Sequence, residues 1–140
     1  GKMKLVEGVK NTLILDDSQN ADINSMIEAL KTLKRISDSR KVVVLGDILG
    51  IGKYSIEAHE SLGSHVAKNS DLFFAIGPRS KFIAKGAIAK GMKQENVFQF
   101  ETSDQAKLSV QKLIRKNDLI LVDGSKEMKM GGIVQEIRKA

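Results

Sequence analysis

Short apolar runs alternate with stretches of helical periodicity along this whole sequence, and that alternation limits the fold more than any other feature. The run Lys41-Val-Val-Val-Leu-Gly46 is continuous and β-branched, which is typical of a strand covered by helices on both faces. Similar runs occupy residues 3–7, 12–15, 71–77, 96–100 and 118–122. All but the first of the six runs are followed by a helical stretch. The pattern predicts one strand followed by five strand–helix units.

The predicted fold class is therefore α/β, a Rossmann-like, doubly wound, mostly parallel six-stranded sheet with right-handed crossovers. Gly8-Val-Lys-Asn11 separates the first two runs and is a hairpin signal, which makes the first strand an antiparallel N-terminal edge strand. The 140 residues contain no linker, repeat or low-complexity tract, so one domain over 1–140 is expected. Inward-facing helical positions include Met26, Leu30 and Leu33, then Ala106, Val110, Leu113 and Ile114, and finally Met130, Ile133, Val134 and Ile137.

Composition excludes several classes of protein. Without cysteine the chain has no disulfide or thiolate metal site, and two histidines are too few for a histidine-rich one. No apolar run approaches the roughly 20 residues that span a bilayer, and the start lacks the apolar core of a signal peptide. We therefore expect a cytoplasmic protein without a membrane partner. The net charge of +6 comes from scattered lysines, so a nucleic-acid partner, whose binding would fall steeply with salt, is not favoured.

Polar side chains follow the second apolar run. Asp16 and Asp17 come directly after it, the polar turn Ser18-Gln-Asn20 follows, and a helix begins near Asp22. Ligands of open α/β sheets bind beyond the carboxyl ends of the strands, beside helix N-termini. The stretch is thus a candidate binding site. The alternative is that Asp22 or Asn20 only caps the helix and that the two acids are solvated turn residues.

The loops 16–20, 47–53 and 123–129 are expected at one edge of the sheet. The chain has no G-x-x-x-x-G-K-[ST] P-loop, no complete G-x-G-x-x-G fingerprint and no G-x-S-x-G nucleophile elbow. A phosphoryl receiver would need an aspartate at the end of the third parallel strand, which here ends Ala75-Ile-Gly-Pro78. His59 lies beside an apolar stripe with no acid obviously placed against it, which favours a structural role over a general base.

Four segments, in order and at matching intervals over the whole chain, resemble the C-terminal domain of the Mur ligases. Gly1-Lys-Met3 is similar to the Gly-Arg-apolar start of that domain. Asp16-Asp-Ser-Gln-Asn-Ala21, with Ser25-Met26 after it, is similar to Asp-Asp-Ser-Tyr-Asn-Ala. The family segment Gly-Asp-Met…Gly…His…Gly is matched by Val44-Leu-Gly-Asp-Ile48, Gly52, His59 and Gly63. The segment Val-Lys-Gly-Ser-Arg…Met…Val-Val is matched by Leu121-Val-Asp-Gly-Ser-Lys126, Met130 and Ile133-Val134.

The resemblance implies an ATP-dependent amide-bond ligase of peptidoglycan synthesis, in particular one that adds D-alanyl-D-alanine to UDP-N-acetylmuramoyl-tripeptide. In that family ATP phosphorylates the carboxylate of the UDP-linked peptide, and the dipeptide amine attacks the acyl phosphate. The P-loop and most Mg²⁺ ligands belong to a central ATPase domain, and an N-terminal domain binds the UDP group. Both lie outside this sequence, so the chain is expected to be a fragment that is inactive alone.

Carried over by position, the resemblance implies a nucleotide site formed by Lys2, Asp16, Asp17 and Asn20. It implies a substrate site, where a cation suits the dipeptide carboxylate, formed by Ser18, Ser125 and Lys126. Neither a catalytic residue nor a metal ligand is expected in this domain. The alternatives are that Lys2 is only a terminal residue and that Lys126 is only a cation on the first turn of the last helix.

Several positions depart from the family pattern. Gln19 stands where tyrosine is usual, Gly50 where glutamate is common, and Asp123 where the family has lysine. Lys2 and Lys126 replace arginines, which keeps the charge but loses bidentate geometry. Asp123 reverses a charge beside the implied dipeptide site, which leaves open a different amino component or an altered activity. A non-catalytic α/β ligand-binding module that uses the same sheet edge is the second hypothesis.

Overall fold

The computed structural model describes residues 3–19 and 22–140. Within them the chain forms one mixed sheet with helices on both faces. Its strands are β1 Lys4–Glu7, β2 Leu13–Asp17, β3 Lys41–Gly46, β4 Leu72–Ile76, β5 Val97–Phe100 and β6 Leu119–Asp123. The α-helices are α1 Ile23–Ile36, α2 Ser55–Asn69, α3 Ser80–Ala89, α4 Ser103–Leu113 and α5 Gly131–Ile137. The predicted fold class is confirmed.

The strands lie in the order β1-β2-β6-β3-β4-β5. The first strand pairs antiparallel with β2 at one edge, as the hairpin signal predicted, and every other pair is parallel. The last strand, β6, is inserted between β2 and β3. The chain therefore reverses its direction of travel across the sheet after β5. Right-handed crossovers place helices on opposite faces before and after such a reversal.

Two hydrophobic cores follow from that reversal. One face of the sheet packs against α1, α2 and α3 through side chains such as Leu30, Leu62 and Ile83. The other face packs against α4 and α5 through Val110 and Ile133. Strands β3, β4 and β6 are buried along their whole length, which explains their continuous apolar sequence. The chain thus covers both faces of its sheet with its own helices.

Two local predictions are wrong, the end of the second strand and the inward orientation of Leu113. The second strand does not end at Leu15, because Asp16 and Asp17 continue the parallel ladder opposite Val122 and Asp123. Leu113 is 37% exposed instead of facing inward, because α4 ends there and the chain turns away. The capping signals are confirmed: the Asp22 carboxylate accepts from the Ser25 N–H, and the Thr102 hydroxyl accepts from the Gln105 N–H.

Helices α2 and α3 approach each other closely through two glycines. A Cβ on Gly63 would lie 2.5 Å from both the Ile83 carbonyl oxygen and the Ala87 nitrogen. A Cβ on Gly86 would collide in the same way with the Glu60 carbonyl oxygen. Because the atoms in the way belong to helix backbones, they cannot move aside as a flexible side chain would. The two glycines therefore set how closely these helices pack on the sheet.

Replacing Gly63 by alanine should separate α2 from α3 and lower the free energy of unfolding by roughly 1–3 kcal/mol, the usual cost of overpacking. Denaturant unfolding would measure this. Gly132→Ala is the matched control, because Gly132 is also helical but has no atom within 4 Å of the added Cβ. That variant should be neutral or more stable by up to about 1 kcal/mol. Equal effects of the two substitutions would contradict the packing argument.

Candidate binding site at the strand ends

Three loops meet at the carboxyl edge of the sheet, as predicted. They follow β2, β6 and β3, which are neighbouring parallel strands, so the loops emerge side by side. This is also the place where the strand order reverses, and α/β sheets commonly bind ligands at such a point. The structure therefore brings together Asp16, Asp17 and Ser18 with Ser125 and Lys126. Lys2 and Asn20, the other two predicted site residues, lie outside the described residues.

Asp17 and Asp123 form a pair of adjacent acids. They are register partners on β2 and β6, so their side chains leave the same face of the sheet. Asp17 is 5% exposed and Asp123 is fully buried. The alternative that Asp17 is a solvated turn residue is therefore wrong. Oδ1 of Asp123 accepts the Gly124 N–H at 2.8 Å, while Oδ2 has no hydrogen-bond donor among the described residues.

A proton on one of these two carboxyls relieves the repulsion between them. Burial raises the pKa of Asp123 to about 9, and the hydrogen bond to Asp17 and its charge add to this effect, while the Gly124 N–H opposes it. At neutral pH Asp123 is therefore protonated and can donate a hydrogen bond to the Asp17 carboxylate. The fold tolerates two buried acids side by side because, with this proton, the pair carries one negative charge fewer than two carboxylates would.

The Asp123 proton makes stability depend on pH. The unfolded chain releases it near the ordinary value of 3.8 and the folded chain at about 9, so the fold loses stability as pH rises between the two. Asp123→Asn removes this dependence, because an amide donates the same hydrogen bond and does not titrate. Relative to wild type, its free energy of unfolding should rise by about 1.4 kcal/mol per pH unit across that window.

Denaturant unfolding at several pH values between about 5 and 8 would measure this difference. Asp38→Asn is the matched control, since Asp38 is an exposed acid before β3, at the opposite edge of the sheet. The free energy of unfolding of Asp38→Asn should change with pH in the same way as that of the wild type. If the free energy of unfolding of Asp123→Asn also changed with pH as that of the wild type does, Asp123 would not be protonated in the folded chain.

Asp16 and Ser18 shape the loop after β2. The Asp16 side chain is half-buried, and its Oδ1 accepts the Ser18 N–H at 3.0 Å, a local turn contact. Asp16 thus matches the turn alternative in its bonding. The Ser18 hydroxyl lies 4.0 Å from the place where a Cβ on Gly131 would stand, so this loop reaches the start of α5. The first and last loops are therefore neighbours in space.

Ser125 holds the neighbouring loop in place. It is 1% exposed, and its hydroxyl accepts the Leu49 N–H at 2.8 Å. Its own N–H donates to the Asp47 carbonyl at 3.1 Å. His59 is buried on the other side of the same segment. Its Nδ1 donates to the Ser55 carbonyl at 2.6 Å, which leaves Nε2 to accept the Ile48 N–H at 3.2 Å. The predicted structural role of His59 is confirmed.

Asp47 anchors this loop to α3, a function that sequence reasoning missed. Its carboxylate accepts the Ser80 N–H at 2.7 Å, the Ser80 hydroxyl at 2.9 Å and the Arg79 N–H at 3.2 Å. The Arg79 guanidinium lies 3.6 Å away. The carboxylate thus satisfies backbone donors at the start of α3 although it lies over thirty residues away. The signal in the sequence was the Gly77-Pro78 turn, which supplies no cap of its own.

Ser125→Ala should loosen the loop after β3, because the Leu49 N–H would lose its acceptor. The expected cost is about 1–3 kcal/mol, with faster amide hydrogen exchange at Leu49. Ser64→Ala is the control, since that hydroxyl donates only to the Ser61 carbonyl within α2 and should change stability by less than about 0.5 kcal/mol. Unchanged exchange at Leu49 would show that Ser125 does not support the loop.

Lys126 is exposed at the site. It opens a short 3₁₀ helix, Lys126–Met128, that precedes α5, so it is not on the first turn of α5 itself. No group of three or more histidine, aspartate or glutamate side chains in the described part of the chain could hold a metal ion. None of the helices in these same residues is long and apolar enough to cross a membrane.

Comparison with protein families gives a match over residues 1–126 to the Mur ligase, glutamate ligase domain. The UDP-N-acetylmuramoyl-tripeptide–D-alanyl-D-alanine ligase of Bacillus subtilis is 28% identical over 138 residues, which are 97% of this chain and 30% of that one. The ligase of the same name from Buchnera aphidicola subsp. Baizongia pistaciae is 32% identical over 139 residues, 99% of this chain and 29% of that one. The chain thus spans about 30% of the length of these relatives.

Solved structures share the fold. A MurF from Acinetobacter baumannii superposes with a TM-score of 0.82 at 25% identity, over 97% of this chain and 29% of that one. The MurF ligase from Thermotoga maritima in complex with ADP superposes with a TM-score of 0.79 at 20% identity, over 97% of this chain and 30% of that one.

Proposed function

Because the chain belongs to the Mur ligase, glutamate ligase domain family, we propose that it is the C-terminal domain of an ATP-dependent amide-bond ligase that adds D-alanyl-D-alanine to UDP-N-acetylmuramoyl-tripeptide. One observation carries this proposal: the relatives that bear this name match the chain over nearly its whole length. The reaction belongs to peptidoglycan synthesis and takes place in the cytoplasm. A central ATPase domain and an N-terminal UDP-binding domain complete the enzyme.

In the proposed reaction, ATP converts the peptide carboxylate into an acyl phosphate, which the dipeptide amine attacks. The described residues contain no group of three or more side chains that could hold a metal ion, and Mg²⁺ would be held by the central domain. This chain's part is to close over the bound reactants. Closure holds the amine near the acyl phosphate and excludes water, and both effects accelerate the reaction.

The loops at the carboxyl edge are the proposed contact surface. By resemblance, the proposed nucleotide residues are Lys2, Asp16, Asp17 and Asn20, of which Asp16 and Asp17 are the last two residues of β2. Lys126 is the proposed partner of the dipeptide carboxylate, because its ammonium is exposed at the same edge. Ser125 supports the substrate site indirectly, since its hydroxyl is already bonded to Leu49. Ser18 is the hydroxyl next to Asp17 on the first loop.

The alternative is a non-catalytic α/β ligand-binding module, or a diverged ligase with another amino component. The observation behind it is Asp123, an acid that the family pattern lacks, next to Asp17. The full-length protein separates these functions. With ATP, Mg²⁺, UDP-N-acetylmuramoyl-tripeptide and D-alanyl-D-alanine, a ligase releases phosphate only when all are present. Turnover with a different amino acid would indicate a diverged member, and ligand binding without turnover would indicate a binding module.

Lys126→Ala in the full-length enzyme should raise the KM for D-alanyl-D-alanine at least about tenfold with little change in kcat, because a charge-assisted hydrogen bond is worth about 1.5–3 kcal/mol. Lys116→Ala is the control, since Lys116 is also exposed but precedes β6 at the opposite edge of the sheet. An unchanged KM in Lys126→Ala would remove this residue from the dipeptide site and leave the proposed reaction standing.

A further inference from the structure

We propose that the amino edge of the sheet, opposite the candidate site, is a docking surface for an anionic lipid bilayer. Exposed bases would meet the lipid headgroups, and the side chains of Ile36 and Leu113 would enter the interface between headgroups and acyl chains. The inference is independent of the proposed reaction. It revises the expectation of a protein without a membrane partner, which was based on the lack of a spanning segment and of a signal peptide.

Folding separates the charges of the chain between the two edges of the sheet. The amino edge is formed by the β1–β2 hairpin, the C-terminal ends of the helices and the segments that follow them. This amino-edge face comprises residues 7–12, 34–41, 68–71, 90–96, 112–118 and 138–140. It holds 13 of the 23 bases and 5 of the 17 acids, whereas the rest of the chain holds more acids than bases. The net charge of +6 therefore arises from this face, which gathers lysines that are scattered in the sequence.

Two of these bases serve the fold. Bases near the C-terminal end of a helix bind its last carbonyl groups and interact favourably with the helix dipole. Lys10 does so at the end of α4, where its Nζ donates to the Ile114 carbonyl at 2.7 Å. Arg40 donates to the Leu113 carbonyl at 2.9 Å and is paired with Asp118 at 2.7 Å. The end of α4 is thus already capped and tied to the rest of the sheet.

Further bases at the end of α4 exceed this structural need. Lys112 and Arg115 are exposed, and their side chains form no hydrogen bond or ion pair with residues 3–19 and 22–140. The acid of the same segment, Asp118, is 2% exposed and already paired with Arg40, so it does not neutralise them. Positive charge on this corner of the molecule is therefore available to an external anion.

Exposed apolar side chains accompany the bases. Ile36 is 45% exposed and directly follows Arg35, and Leu113 is 37% exposed and directly follows Lys112. The ends of α1 and α4 that carry them are linked, because Arg40, from the loop after α1, donates to the Leu113 carbonyl. Bases with apolar side chains between them are typical of surfaces that bind anionic bilayers, where both kinds of contact contribute.

The same face is less suited to nucleic acid. Proteins that bind single strands stack the bases on aromatic side chains, and the segments of the amino-edge face contain no Phe, Tyr or Trp. Their lysines and arginines come from six separate segments, not from one helix or strand that could enter a groove. Bases spread over a whole edge match the extended charge of a bilayer surface. The candidate site, at the other edge, would face away from the bilayer and stay accessible.

Vesicle co-sedimentation of the chain tests the inference, because its own helices cover both faces of the sheet. The probes are sucrose-loaded vesicles of phosphatidylcholine alone and of an equal mixture of phosphatidylcholine and phosphatidylglycerol. We expect binding to the anionic vesicles only. Raising the salt concentration from about 0.05 M to about 0.5 M should weaken this binding at least about tenfold, because salt screens the charges.

Charge-reversal pairs separate the amino-edge face from the net charge. Lys112→Glu combined with Arg115→Glu should weaken binding to the anionic vesicles at least about tenfold. Lys81→Glu combined with Lys85→Glu is the matched control, since both lysines are exposed on α3 outside this face and the net charge changes equally. The control pair should weaken binding less than about threefold.

Leucine variants test the apolar contact. Leu113→Ser should weaken binding about fivefold, because the exposed part of this side chain would no longer be removed from water. Leu108→Ser is the control, since Leu108 is on the same helix and more exposed, at 56%, but lies outside the amino-edge face. It should bind as the wild type does. Denaturant unfolding in parallel shows that each variant is folded.

Several results would overturn the inference. They are no binding to the anionic vesicles, equal binding to both kinds of vesicle, equal losses in the two charge-reversal pairs, or unchanged binding of Leu113→Ser. Tighter binding to a short DNA duplex or single strand than to the vesicles at the same salt concentration would assign the face to nucleic acid instead. Ligase turnover is measured separately, so failure of the bilayer surface and failure of the proposed reaction are distinguishable.

Discussion

The pairing of β6 between β2 and β3 is the constraint on which the rest of this structure depends. The strand is last in the sequence but central in the sheet, and it is buried along its whole length. Its register places Asp123 between Asp17 on one side and Leu45 on the other. It also brings Ser125 against Leu49, 76 residues away in the chain. The candidate site therefore exists only once the carboxyl-terminal part of the chain has joined the sheet.

Two buried aspartates at this edge of the sheet, Asp47 and Asp123, have opposite surroundings. Asp47 lies at the start of α3, where unpaired backbone N–H groups and a hydroxyl donate to it and an arginine is close. Asp123 has one backbone donor and another acid as its neighbour. The first anchors the start of a helix through its hydrogen bonds, and the second is held protonated. Environment, not residue type, separates a carboxyl that anchors a helix from one that can respond to pH.

The loop after β3 is fixed where it leaves the strand and exposed at its tip. Ile48 and Leu49 are bonded to His59 and Ser125, so the loop after β3 starts from a defined position. Beyond them Gly50 and Gly52 have φ values of 81° and 82°, which favour glycine, and a Cβ there would meet no other atom. Tyr54 follows and is 63% exposed. A loop that is fixed where it leaves the strand and exposed at its tip suits the contact surface proposed above.

Much of this architecture could be predicted from local patterns. The alternation of strand and helix periods predicted the sheet, its antiparallel edge and the meeting of three loops, because parallel strands end at one edge. Asp22 and Thr102, as capping residues, indicated where their helices begin. The site was harder to predict, since the two acids were expected in the loop 16–20 and the contact of Ser125 with Leu49 was not foreseen. A further signal was available: Leu13-Ile-Leu-Asp-Asp17 and Leu119-Ile-Leu-Val-Asp123 have the same pattern and pair residue for residue.

The sequence by itself determined which segments are strands and helices and which of their faces are buried, because periodicity and capping act over a few residues. Only the tertiary structure decided that β6 lies between β2 and β3, and in which register. From that came the buried acid pair, the Ser125 bond to Leu49 and the Asp47 bonds to Ser80. Those contacts join residues more than thirty positions apart, and a local pattern carries no information about which distant strand or helix will supply the partner.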